Sequence, residues 1–113
     1  MSYGQQWLHC CSFTITQLTN RFESADSVQK EPVLAEPTKE QVIEKLKAMY
    51  HFVYQTIERL PDASLFEEVA YTGDTVAGWR LLSILENHII HHRGQCMVYL
   101  RLKGVTPEGY LGW

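Results

Sequence analysis

The chain has 113 residues, of which 45% are hydrophobic and 20% charged, and its formal net charge is −3 at pH 7. These values are typical of a single globular domain spanning residues 1–113, and the scattered basic residues argue against nucleic acid or an anionic membrane as the main partner. No apolar run reaches the roughly 18 residues of a membrane span, and the N-terminus lacks the features of a signal peptide. We therefore expect a cytoplasmic protein.

Two amphipathic helices are predicted in the first half of the chain. Apolar residues recur at spacings of three and four over roughly residues 3 to 23, which predicts the first helix. The polar segment 23–37 is predicted to be a connecting loop. The second helix begins at a capping box, with Thr38 as N-cap and Gln41 at N3, and it ends at Pro61. Its predicted core stripe consists of Ile43, Leu46, Tyr50, Val53, Ile57 and Leu60.

A third and longer helix is predicted from about Val76 to Lys103, after a connection over residues 61–74. Asp74 or Thr75 is expected to cap its start, and Gly104 is placed to follow its end. No segment alternates as a strand does, so we predict an all-α architecture with antiparallel bundle packing. The residues expected on the inner stripe of this helix are Leu81, Leu85, His88, His92, Gln95, Tyr99 and Leu102.

Two histidines share one face of the third helix. His88 and His92 are four residues apart, so their rings leave the helix one turn apart. Two imidazoles in this arrangement can bind one divalent metal ion when a third group comes from another element. They can also be core residues satisfied by hydrogen bonds, although each unpaired polar atom there costs roughly 1–3 kcal/mol. The spacing alone leaves both interpretations open.

The other three histidines have different positions on their helices. His91 is rotated by about 100° from His92 and is expected to face solvent or a subunit boundary. His51 falls just off the stripe of the second helix, where a partly exposed structural role is expected. His9 lies at the edge of the first stripe and remains a candidate third ligand.

The cysteines are predicted to be structural. Cys10, Cys11 and Cys96 are an odd number without a metal-type spacing, and in a reducing compartment they are most simply buried small hydrophobic residues. A functional thiol at Cys10, beside His9, is the alternative.

Two segments resemble the DinB/YfiT-like superfamily. His-x-x-His-His-Arg-Gly-Gln at residues 88–95, followed by Tyr-Leu-Arg-x-x-Gly-x-x-Pro-x-x-Tyr at residues 99–110, resembles the C-terminal helix of that family. Gly-Gln-Gln-Trp-Leu-His at residues 4–9 resembles the family's second helix, where the first metal histidine lies. The middle helix agrees only in length and pattern.

The resemblance implies a four-helix bundle with a long crossover connection and a divalent metal held by His9, His88 and His92. Family members include S-transferases that use low-molecular-weight thiols, a related isomerase and many proteins without an assigned activity, so fold and site transfer better than the reaction. Family members also carry one helix before the helix with the first histidine. We therefore expect that N-terminal helix to be absent here or supplied by a partner subunit, and we predict a homodimer.

The preferred functional interpretation is a metal-dependent transferase or hydrolase of the thiol S-transferase type. Three neutral imidazoles would leave an open position on zinc or nickel, where a thiol or water would lose its proton more readily. Gln95 is predicted to orient substrate or a metal-bound water, and Arg93 to form a structural ion pair or to contact an anionic substrate at the rim. The alternatives are a non-catalytic metal-binding or dimerisation domain, and a plain helical domain with core histidines.

Overall fold

The computed structural model describes residues 1–22 and 34–109, which form three helices and a two-stranded sheet. The predicted helices are present, whereas the exclusively helical architecture was wrong because a β-hairpin precedes the last helix. The fourth helix that the resemblance implies stays a prediction. The elements are α1 at Tyr3–Phe22, α2 at Lys39–Arg59, a 3₁₀ turn at Asp62–Leu65, β1 at Glu68–Tyr71, β2 at Asp74–Ala77 and α3 at Gly78–Leu102.

Helix α1 packs against both other helices. Near the start of α1, Gly4 lies against Val42 in the first turn of α2, so α1 and α2 run parallel. Gln6 of α1 contacts Tyr99 near the end of α3, so α1 and α3 run antiparallel. The connection between α1 and α2, predicted as a loop over residues 23–37, lies mostly outside the described residues.

The start of α2 is as predicted. The hydroxyl of Thr38 accepts a hydrogen bond from the backbone N–H of Gln41 at 3.2 Å, and the Gln41 side chain accepts one from the backbone N–H of Thr38 at 2.8 Å. This reciprocal capping box satisfies two backbone donors that no helical carbonyl can reach.

The face of α2 that points into the core differs from the predicted stripe. The buried residues are Val42, Met49 and Thr56. Three residues of the predicted stripe are exposed instead, namely Ile43 at 40%, Tyr50 at 54% and Ile57 at 48%. Each exposed residue directly follows a buried one, whereas Leu46, Val53 and Leu60 remain half-buried. The rotation of α2 from the predicted orientation is therefore smaller than the roughly 100° between successive residues. The apolar residues of α2 do recur at helical spacing, but they occupy a wider arc of the helix than α1 covers.

The hairpin replaces the predicted cap of the third helix. Strands β1 and β2 pair antiparallel and are joined by Thr72 and Gly73, which have φ values of 48° and 85°. Two successive positive φ values are characteristic of the type I′ turn that joins two-residue hairpins. Asp74 accepts a hydrogen bond from the adjacent Thr75 N–H, and neither residue caps α3. The N-cap of α3 is Ala77, which makes no side-chain cap bond.

The start of α3 is held by close backbone packing. The N–H of Gly78 donates to the carbonyl of Glu67 at 3.0 Å. A Cβ at position 78 would overlap the carbonyl oxygen of Ser64 in the 3₁₀ turn, so this close approach requires glycine. The far end of α3 is as expected, because Gly104 follows it with φ of 76°.

Small and aliphatic side chains form the core between the three helices. Cys10, Cys11 and Cys96 are buried free thiols, which confirms their predicted structural environment. Leu102, predicted on the inner stripe of α3, is 78% exposed, because α3 extends beyond the first residue of α1 at this end of the molecule. The remaining fully buried hydrophobic side chains of the described residues are Leu18, Met49 and Leu81.

Within the described ranges, no helix has both the length and the hydrophobicity needed to cross a bilayer.

Candidate metal site

Three histidine side chains converge between α1 and α3. The ring centroids of His88 and His92 lie 4.6 Å apart, and His9 lies 5.1 Å from His88 and 4.9 Å from His92. One ring nitrogen from each residue lies within 4.8 Å of the other two. The antiparallel packing of the helices places the first third of α1 beside the middle of α3. The structure thus brings together the three residues predicted as metal ligands.

The three rings differ in depth. His9 is exposed, His88 is half-buried and His92 is buried, with 7% of its surface accessible. The cluster is therefore covered by α3 and the core on one side and open to solvent on the side of His9.

The environment keeps His88 and His92 neutral. Burial lowers the pKa of His88 from 6.5 to about 4, and the neighbouring His92, His9 and His91 act in the same direction. Burial also lowers the pKa of His92, with His9 and His91 again acting in that direction and a hydrogen bond with Gln95 acting against it. At neutral pH both imidazoles therefore carry a free lone pair, which is the state that binds metal.

The ring of His88 is fixed by packing rather than by hydrogen bonds. Phe13 of α1 stacks on it with ring centroids 4.2 Å apart. Its Nδ1 is buried and has no hydrogen-bond partner among the described residues. An unpaired buried nitrogen is costly, and a cation bound at the cluster would satisfy a lone pair on this nitrogen.

His92 is fixed by a polar contact across the two helices. Its Nδ1 lies 2.5 Å from Oε1 of Gln6, a buried residue of α1. The amide nitrogen of Gln6 in turn donates to the hydroxyl of Tyr99 at 3.3 Å. Gln6 was not among the residues predicted for this site. The sequence feature that could have indicated Gln6 is its position, on the same helical face as Cys10 and three residues before His9.

The donor set fits a divalent cation. Three neutral imidazole nitrogens suit zinc or nickel among the biological metals. Four-coordinate zinc with bonds of about 2.0–2.1 Å holds neighbouring nitrogens about 3.4 Å apart. The present upper limit of 4.8 Å is larger, so binding would require the ring nitrogens to move closer together by up to about 1.4 Å.

The sequence profile of the DinB family matches residues 2–111. The chain belongs to the DinB family. No curated protein and no solved structure matched it. The family and the three-histidine cluster are both compatible with a metal-binding DinB protein, and neither identifies a reaction.

The two residues of this DinB protein that were predicted to act on substrate lie on different sides of α3. The side-chain nitrogen of Gln95 lies 3.0 Å from Nε2 of the exposed His91, and the Gln95 side chain also forms a hydrogen bond with His92 of the cluster. Arg93 is exposed and lies toward α2. Partial burial raises the pKa of the Tyr50 hydroxyl on α2, and the charge of Arg93 acts against that rise. His51 is exposed on α2 and, among the described residues, is not part of the histidine cluster.

Proposed function

We propose that this DinB protein is a metal-dependent transferase that uses a low-molecular-weight thiol, with zinc or nickel held by His9, His88 and His92. The observation that supports this most strongly is the convergence of three imidazoles at a site that is open on the His9 side. A divalent cation bound there would lower the pKa of a coordinated thiol and so supply a sulfur nucleophile near neutral pH. A hydrolase using water in place of the thiol is the variant of the same proposal.

The residues around the cluster have separate proposed roles. The transfer forms a bond between the thiol sulfur and an electrophilic carbon and releases the leaving group together with the thiol proton. Gln95 forms hydrogen bonds with His91 and His92, so its amide lies next to the cluster, where it can donate to or accept from an incoming substrate. Arg93 lies toward α2, so a contact with an anionic substrate has less support than the predicted structural role.

Metal content is the first test. Protein purified without a His-tag is analysed for bound elements, and we expect about one zinc or nickel ion per chain. His88→Gln should lose the metal. His51→Gln is the matched control, because His51 is exposed on α2 and is not part of the cluster. Native protein without bound metal, and without affinity for added zinc or nickel, would contradict the proposal.

Turnover is the second test. The metal-loaded protein is assayed with a panel of low-molecular-weight thiols and carbon electrophiles, and product is followed by mass spectrometry. We expect thiol-dependent product formation that His92→Gln abolishes and His51→Gln retains. Gln95→Ala should mainly raise KM if the amide positions substrate. Stoichiometric metal without any turnover would favour the alternative below.

The alternative function is a non-catalytic metal-binding or dimerisation domain. One observation favours it, namely the apolar side chains of Ile43, Tyr50 and Ile57 that lie exposed along one face of α2. A second copy of the chain is the occupant we propose for this face, since the same apolar patch on two copies is self-complementary about a two-fold axis. Sedimentation at micromolar concentration tests this homodimer, and a stable monomer would count against it.

A further inference from the structure

A chain of hydrogen bonds runs from the candidate metal site to the backbone at the start of the protein. Nδ1 of His92 pairs with Oε1 of Gln6, and Nε2 of Gln6 donates to the hydroxyl of Tyr99. The Tyr99 hydroxyl donates to the carbonyl oxygen of Met1 at 3.3 Å. The chain links α1 to α3 at two points, and Gln6 and His92 are both buried.

The carbonyl oxygen of Met1, the last acceptor, fixes the donor and acceptor of every hydrogen bond in this series. A carbonyl oxygen has no proton to donate, so the bond to Met1 uses the proton of the Tyr99 hydroxyl. The hydroxyl oxygen is then free to accept from an amide N–H, which places Nε2 of Gln6 toward Tyr99. Oε1 of Gln6 is left facing His92. An amide oxygen can only accept, so Nδ1 of His92 carries the ring proton.

We infer that Gln6, oriented by Tyr99, is a positioning residue that holds His92 in the Nδ1–H tautomer and directs the lone pair of Nε2 to the three-histidine cluster. This inference rests on the proposed function, because the metal site is the reason for orienting His92. Its first test, the tautomer of His92, does not require a bound metal. A ligand whose tautomer is already correct binds without rearranging its hydrogen bonds. Partners of this kind also raise the basicity of the coordinating nitrogen, and their loss typically lowers metal affinity by about 10–100-fold.

His88 and His92 are held in place by different contacts, and this difference agrees with the role proposed for Gln6. His88 is held by the stacked ring of Phe13 and leaves Nδ1 without a hydrogen bond to the described residues. His92 is more deeply buried, its Nδ1 pairs with Gln6, and its side chain also forms a hydrogen bond with Gln95. Of these two histidines, it is His92 whose tautomer is set before a metal arrives.

The tautomer itself is the first measurement. Long-range ¹H–¹⁵N NMR spectra of the metal-free protein at pH 7.5 distinguish a protonated ring nitrogen from one with a lone pair. We expect His92 to be predominantly Nδ1–H in the native protein and in Gln6→Glu, whose carboxylate also accepts from Nδ1. Gln6→Met keeps the length of the side chain but removes the acceptor, so we expect a mixture of tautomers. Tyr99→Phe should give a smaller change in the same direction, because the amide is no longer held.

Metal affinity is the second measurement, by competition of Zn²⁺ against a chromophoric chelator. We expect Gln6→Met to bind about 10–100-fold more weakly and Gln6→Glu to bind at least as tightly as the native protein. The matched controls are Gln55→Met and Tyr54→Phe on the exposed surface of α2, which should not change the affinity. Circular dichroism confirms that each variant is folded.

Failure of the inference about Gln6 can be distinguished from failure of the proposed metal function. A native His92 in the Nε2–H tautomer would overturn the inference whether or not metal binds. So would a folded Gln6→Met with native tautomer and native zinc affinity. If the native protein binds no metal but its His92 is Nδ1–H and Gln6→Met abolishes that preference, the positioning stands and the proposed metal function fails.

Discussion

The ring of Phe13 stacks on the ring of His88, with centroids 4.2 Å apart and planes inclined by 26°. Phe13 lies four residues after His9 on α1, so one helical face supplies both a candidate ligand and the ring that packs on another. Because Nδ1 of His88 has no hydrogen bond to the described residues, this stacking is the contact that restricts its ring plane. The cluster is thus preorganised by aromatic packing at one histidine and by a hydrogen bond at another.

Loss of that stacking should weaken metal binding without abolishing it. Aromatic pairs contribute about 0.5–1.5 kcal/mol beyond buried area, so we expect Phe13→Leu to lower zinc affinity by about two- to tenfold. Isothermal titration or chelator competition measures this. Phe52→Leu on α2 is the matched control, since Phe52 is similarly half-buried and, among the described residues, does not stack on a histidine of the cluster. Equal affinities of the two variants would show that the stacking does not orient His88.

Metal removal should destabilise the fold. A ligand that binds only the folded state adds about 2.7 kcal/mol to the free energy of unfolding when its free concentration is about 100 times Kd. For a domain of this size that corresponds to a rise in Tm of roughly 10 °C or more. We expect a strong chelator to reverse this rise in the native protein and in His51→Gln. In His88→Gln neither zinc nor chelator should move the Tm, and a persistent shift there would place the metal elsewhere.

The metal-free protein should lose stability as the solution is acidified below about pH 6.5. The pKa of His88 is about 4 in the folded chain and 6.5 in the unfolded one, so the unfolded chain binds more protons between those values. Stability is then complete above pH 6.5 and falls as the pH drops toward 4, and the lowered pKa of His92 acts in the same direction. Urea unfolding across this range measures the effect. His88→Gln should show a flatter dependence, and parallel curves would contradict the lowered pKa.

The ligand pair could be predicted from the sequence because it depends on local geometry alone. His88 and His92 share a face in any helix, so their spacing suffices. The third ligand came from the family resemblance, since no local rule relates His9 to residues on a helix at the other end of the chain. Gln6 was missed for the same physical reason. Its role depends on how α1 is rotated and shifted against α3, which is a tertiary property.

The hairpin was missed because its sequence signal is weak. Its strands have four residues each, too few for a clear alternation, and its turn is Thr-Gly rather than Asn-Gly or Asp-Gly. A β-branched residue such as Thr72 rarely adopts positive φ, so the turn type could not be predicted. Tertiary contacts support the hairpin instead, including a 2.7 Å hydrogen bond from Nε of Arg21 to the carbonyl of Ala70.

The cysteines should be chemically inert in the folded protein. Burial raises the pKa of Cys10 to about 12 and that of Cys11 to about 11, and it also raises the pKa of Cys96. We expect no reaction with an aromatic disulfide reagent at about pH 8 until denaturant is added, when all the thiols should react. Ser12→Cys, at an exposed position of α1, is the positive control. Rapid labelling of Cys10 in the native protein would revive the interpretation as a functional thiol.

The exposed face of α2 can be tested by comparing two apolar residues of the same helix. Met49 is fully buried, whereas Ile43 is 40% exposed. In a monomer, Met49→Ala should lower the free energy of unfolding by about 2–5 kcal/mol, and Ile43→Ala by clearly less. In the proposed homodimer a second chain covers Ile43, so Ile43→Ala should be costly and its effect should grow as the protein is diluted. Urea unfolding at two protein concentrations separates these cases, because only a dimer makes the midpoint depend on concentration. A small, concentration-independent effect of Ile43→Ala would leave this face of α2 in contact with solvent.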